Sequence, residues 1–184
     1  MKLKKVLILF SFLFAAVISN AQPFVNDITN FKKKDSIAFP PMNAILFVGS
    51  STFTKWTDVQ EYFPGYTIIN RGFGGSTLPD VIRYEKDIIF PYQPKQIVIY
   101  CGENDVASAD TISPQIVLSR VKQLITDIRG AMPKVNIVFI SLKPAPSRWK
   151  MKDRMMASNA LIKKYLKKKK AHFICKRLGC HAGS

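Results

Sequence analysis

The chain has only two histidines, His172 and His181, and no aspartate or glutamate after Asp153. A site that needs an imidazole oriented by a carboxylate therefore has little to draw on. The residues three before the two histidines are Lys169 and Leu178, neither of them acidic. The 3 cysteines, Cys101, Cys175 and Cys180, are an odd set and too few for a disulfide-framed domain. Cys101 ends an apolar run and reads as a small buried hydrophobe. Cys175 and Cys180 could pair in an oxidising compartment. With His181 they lack the fourth ligand of a zinc site, so no metal and no cofactor is expected. Acidic residues are also scarce, 12 against 28 basic ones, for a formal net charge of +16. That excess invites a nucleic-acid reading. Its distribution argues against one: Lys2, Lys4 and Lys5 stand at one end, and Lys163, Lys164, Lys167 to Lys170, Lys176 and Arg177 at the other.

What is present suits one globular domain. The chain has 184 residues, of which 47% are hydrophobic and 11% aromatic, enough for a core and against disorder. Residues 1–21 read as a signal peptide: a lysine-rich start, an apolar stretch from Val6 to Val17, and Ser19-Asn20-Ala21 with small residues at the cleavage positions. That stretch is too short to span a membrane comfortably. The expectation is cleavage after Ala21 and a secreted or periplasmic protein with no stable membrane span. Residues 22–43 form a polar approach segment in which Lys32-Lys33-Lys34-Asp35 reads as solvated. Residues 44–174 carry the domain, and 175–184 form an atypical basic tail.

Within 44–174, short apolar runs alternate with helical patterns. Ala44 to Val48, Tyr66 to Ile69, Gln96 to Tyr100 and Val135 to Ile140 read as buried parallel strands, and His172 to Ile174 as the start of a fifth. Ser113-Pro114 predicts a capped helix start. Val117, Val121, Leu124 and Ile128 then share one helical face, and Gly130 and Pro133 close that helix. Leu78 to Ile88 predicts a shorter helix. A long one is expected from about Arg148 to Lys169, with Met155, Asn159, Ile162 and Leu166 on its buried face. Alternation of this kind predicts an α/β fold with a parallel sheet covered on both faces.

Three polar segments follow three of the strands. Gly49-Ser50-Ser51 ends the first apolar run, Asn70-Arg71-Gly72-Phe73-Gly74-Gly75-Ser76 the second, and Gly102-Glu103-Asn104-Asp105 the third. Ligands in open α/β sheets bind beyond the carboxyl ends of the strands, so these loops are expected to converge on one rim. Ser51 is the candidate nucleophile, at a tight strand-to-helix turn, with Ser50 a second candidate. Gly75 is the candidate backbone donor to an oxyanion, and Asn104 would add a side-chain NH₂. Each segment alone also reads as a cap or turn. The glycine loop does not fit the spacing of a dinucleotide-binding turn.

In their order and spacing the three segments resemble the first three blocks of the SGNH hydrolases, also called GDSL esterases, over about Ala44 to His172. The style of the blocks is similar to the branch related to platelet-activating-factor acetylhydrolase and carbohydrate acetylesterases. The resemblance implies a three-layer α/β/α, flavodoxin-like parallel sheet with its last helix missing here. It implies metal-free hydrolysis of small-molecule or carbohydrate esters, with Ser51 attacking and Ser51, Gly75 and Asn104 holding the oxyanion. The blocks normally carry Asp where Ser50 stands, and close with Asp-x-x-His, which this sequence does not contain. Two accounts of that block stay open, loss through a shifted reading frame near Lys167 to Lys170 or a natural short variant with a basic tail, and impaired activity is the expectation. The alternative is a non-catalytic protein that binds acylated sugars or lipids. Trp56, Phe73 and Trp149 are candidates both for the pocket and for the core.

Overall fold

The computed structural model describes residues 22–169 and 171–174. The proposed signal peptide, Cys175, Cys180 and His181 lie outside the described residues. Five parallel strands form one sheet in the order β2-β1-β3-β4-β5: β1 (Ile45–Gly49), β2 (Ile68–Gly72), β3 (Gln96–Tyr100), β4 (Asn136–Ile140) and β5 (His172–Ile174). This is the flavodoxin-like order, in which the chain reverses direction across the sheet between β1 and β3. The register aligns Gly49 with Gly72 on one side and with Tyr100 on the other. Three strand ends therefore stop at one level, and three loops leave it together.

Seven α-helices are described. α1 is Val25–Ile37, α2 Ser51–Thr54, α3 Leu78–Arg83, α4 Glu85–Ile88, α5 Glu103–Ser108, α6 Pro114–Ala131 and α7 Lys152–Lys168. The longer ones pack on one face of the sheet. There Val81, Val117, Val121, Leu124, Ile128, Met155, Ile162 and Leu166 meet Leu46, Val48, Ile97, Ile99, Ile137 and Phe139. On the other face Ile45, Phe47, Val98, Tyr100 and Val138 cluster with Phe53 and Val59, which come from α2 and the 3₁₀ turn Val59–Tyr62. Phe73 is wholly buried, and Trp56 is half-buried against the second cluster, so both serve the core. Trp149 is exposed, with the Lys152 ammonium over its ring.

α6 forms as its sequence dictates: the Ser113 hydroxyl accepts from the Ile116 amide, Pro114 opens the first turn, and the whole apolar stripe is buried. Four expectations need correction. The approach segment contains α1, whose Ile28 is buried. Asp35 is not solvated: it pairs with the Arg71 guanidinium and accepts from Tyr92 Oη at 2.5 Å. A single helix over Leu78–Ile88 is broken at Tyr84 into α3 and α4. The helix expected from Arg148 starts only at Lys152, because Pro146–Met151 forms a 3₁₀ turn in which Arg148 leaves helical geometry (φ −119°, ψ 19°).

Candidate active site

β1 ends on a residue that must be glycine. Gly49 has φ 146°, and a Cβ there would lie 2.1 Å from the Tyr100 carbonyl oxygen. The next amide, of Ser50, donates to that same carbonyl at 3.2 Å. Ser50 is extended and caps α2, its carbonyl accepting from the amides of Phe53 (3.0 Å) and Thr54 (3.3 Å). Ser51 is the first residue of that helix. Both serines are half-buried at a sharp strand-to-helix corner.

The second loop is tied to the first. Asn70 donates through Nδ2 to the carbonyls of Phe53 (2.7 Å) and Trp56 (3.2 Å), and its Oδ1 accepts from Gly72. Gly72 permits this approach, since a Cβ there would lie 2.6 Å from that of Phe53. Gly49 accepts twice from the loop, from the Phe73 amide at 2.9 Å and the Ser76 hydroxyl at 3.2 Å. Gly75 is exposed, has φ 88°, and immediately precedes Ser76.

The third loop joins both. Gly102 turns the chain out of β3 (φ 124°), and α5 begins. Asn104 Nδ2 donates to the Ser76 carbonyl at 2.9 Å and to Ser50 Oγ at 2.6 Å. One amide group therefore links the ends of all three strands, on the β1–β3 side of the sheet where the topology reverses. Asp105, fully buried, anchors this loop: Oδ2 accepts from the Leu78 amide at 2.9 Å and Oδ1 from Arg120 at 2.7 Å. Burial nonetheless pushes its carboxyl above the ordinary value.

A small cavity of about 20 Å³ sits at this junction, lined by Ser50, Ser51, Thr52, Tyr100, Glu103 and Asn104 with Cys101. It is large enough for one oxygen-sized group. Glu103 is engaged at its edge, accepting through Oε1 from the Tyr100 hydroxyl and the Lys143 amide, each at 2.6 Å. Burial pushes the Tyr100 hydroxyl up first of all, and the Glu103 carboxylate adds to it. The Cys101 thiol is fully buried and pushed well up by desolvation, as suits an inert core group.

Ser51 and Asn104 therefore line one cavity, as does the second candidate, Ser50. It is Ser50 whose hydroxyl touches Asn104. Gly75 stands one residue from Asn104's other partner, Ser76. His172 opens β5 in register with Val138, two residues short of the strand's end, and its side chain is exposed. Asp153 lies in the first turn of α7. Sequence reasoning missed Arg148, whose Nη2 donates to Asn104 Oδ1 at 2.7 Å. Its only signal was a basic residue shortly after β4. Among the described residues no group of three or more His, Cys, Asp or Glu could hold a metal ion, and no helix is long and apolar enough to cross a membrane.

The arrangement defines a parallel α/β protein with its polar site at the topological switch point. No protein-family model matches the sequence, and no curated protein is similar to it at a significant level. Solved structures do share the fold. A GDSL-like lipase from Bacteroides thetaiotaomicron superposes with TM-score 0.69 at 21% identity, over 80% of this chain and 77% of that one. A candidate platelet activating factor from Streptococcus pneumonia gives 0.68 at 18% identity, over 94% and 80%. A catalytic mutant of an acetylxylan esterase from Geobacillus stearothermophilus gives 0.57 at 14% identity, over 73% and 76%. The chain has the SGNH hydrolase fold.

Proposed function

We propose that this protein is a carboxylic-ester hydrolase of the SGNH type that works with a serine and a Ser/Gly/Asn oxyanion site. The observation that carries this reading is the Asn104 amide, which spans Ser50 Oγ and the Ser76 carbonyl at the ends of three strands. Ser51 attacks the ester carbonyl and gives up its proton to solvent water, the alcohol leaves with a proton from solvent, and water then attacks the acyl-serine, releasing the acid and returning the proton to Ser51. The developing oxyanion is held by the amides of Ser51 and Gly75 and by Asn104 Nδ2. Ser50 Oγ accepts from that donor at 2.6 Å, so this reading requires it to turn aside when substrate binds. Small-molecule or carbohydrate esters are the substrate class, and the acetylxylan esterase sharing the fold supports it.

The serine proton has no imidazole to go to among the described residues at the rim. A serine at its ordinary pKa is then a weak nucleophile. Activity is expected to be impaired, at the residual acceleration of about 10³–10⁴-fold that oxyanion stabilisation and binding alone supply. The same lack favours the second reading, a binding protein for acylated sugars or lipids that turns nothing over. Hydrolysis of p-nitrophenyl acetate by the wild type, Ser51→Ala, Ser50→Ala and the double variant separates them. Loss of activity in Ser51→Ala alone supports the mechanism as written. Loss in Ser50→Ala alone moves the nucleophile by one residue, and no serine-dependent rate in any form leaves the binding protein.

A further inference from the structure

Asn104 is held at both ends. Its NH₂ makes the two contacts already described, and its Oδ1 accepts from Arg148 Nη2 at 2.7 Å. Turning the amide over would set its NH₂ against the guanidinium, donor against donor, and its oxygen against the Ser76 carbonyl, acceptor against acceptor. We infer that Arg148 is a positioning residue for the candidate site, fixing the Asn104 amide so that its NH₂ faces the Ser50 hydroxyl and the Ser76 carbonyl.

Several features make Arg148 suited to this. It comes from the chain after β4, so a fourth strand end contributes to the rim beside those of β1, β2 and β3. Its backbone departs from helical geometry within the 3₁₀ turn Pro146–Met151, ahead of the first turn of α7. It makes no ion pair among the described residues, and the nearby Glu103 spends Oε1 on Tyr100 and the Lys143 amide. A full positive charge on Oδ1 draws electron density from the amide and makes its N–H groups stronger donors. Asp105 fixes the backbone of α5 on one side of Asn104, and Arg148 fixes the side chain on the other.

The spectroscopic test does not depend on turnover, and only the kinetic arm rests on the ester-hydrolase reading. In the ¹⁵N-labelled protein the Asn104 side-chain NH₂ pair is assigned by its loss in Asn104→Asp. Arg148→Met is expected to displace that pair or split it into two orientations, with backbone signals of β1 to β3 unchanged. Arg148→Lys is expected to restore a single pair in part. An unmoved Asn104 pair in folded Arg148→Met overturns the inference. If Arg148→Met does not fold, an Arg148→Lys spectrum identical to wild type at Asn104 overturns it instead. Where p-nitrophenyl acetate is turned over, Arg148→Met should lower kcat about tenfold or more with KM little changed, because a misplaced donor is felt in the transition state. A rise in KM alone would make Arg148 a substrate contact and overturn the positioning role. Absence of turnover would count against the hydrolase reading, while the NH₂ signals would still decide the role of Arg148.

Discussion

At the scale of single residues, the site rests on contacts of different legibility. The place of Asn104 at the rim was readable because Gly-x-Asn-Asp after an apolar strand is a short, ordered signal. Arg148 was not, because it lies 44 residues away in sequence and meets Asn104 only through the fold. Asn104→Ala should lower any serine-dependent kcat about a hundredfold or more, and should also lower the urea midpoint, because the buried Ser76 carbonyl loses its donor. A second residue-scale prediction concerns Glu85. One of its oxygens, Oε2, is buried without a partner, and burial, then nearby Asp127, pushes its carboxyl up from 4.5 to about 7. The folded state thus favours the protonated form. Stability is expected to fall as pH rises from about 4.5 through about 7, the window between the unfolded and folded values. Glu85→Gln should abolish that fall. The check is the melting temperature of both proteins at pH 5 and pH 8, where the variant's advantage should appear only at the higher value.

At the scale of elements, α6 and α1 mark the two extremes of legibility. α6 carries its cap, its proline and its apolar stripe in local sequence, and it forms within a residue of the expected bounds. Ser113→Ala should cost about 1 kcal/mol, read by urea denaturation, through loss of the capping acceptor. α1 has a lysine run and few apolar residues, so its local pattern suggests an exposed segment. Tertiary contacts decide it: Arg71 lies between Phe31 and Tyr92, with its guanidinium carbon 5.1 Å and 4.7 Å from the ring centres, and Asp35 completes the pair. Tyr92 Oη accepts from Arg71 at 2.7 Å, and burial lifts its hydroxyl to about 12. Asp35→Ala would leave Arg71 buried and unpaired, at a cost of about 3 kcal/mol in a urea titration. Strand boundaries were legible to within a few residues. The main error was at β2, which runs to Gly72 because Asn70 and Arg71, polar by type, spend their side chains inside the protein.

At the scale of the molecule, the sheet order explains why the motif positions could be inferred without coordinates. Parallel strands force their carboxyl ends to one side, and the reversal between β1 and β3 leaves a crevice there. The sequence period reveals strands and helices, but not which face each helix takes. The longer helices share one face, while the chain after β1 covers the other with a short helix and a 3₁₀ turn. α1 extends this body before β1, so the folded unit begins ahead of residue 44. Removing residues 22–43 should therefore lower the melting temperature, and scanning calorimetry of the chain with and without them would show it.

Gly49 has one more consequence. Its corner leaves no room for even a methyl group beside the Tyr100 carbonyl, while Ser50, directly after it, has ordinary extended geometry. In a library randomised at both codons and selected only for soluble expression, the first should return a single amino acid and the second a broad assortment. The bend that delivers the two hydroxyls is thus spelled by one letter, whatever chemistry is later asked of its neighbours.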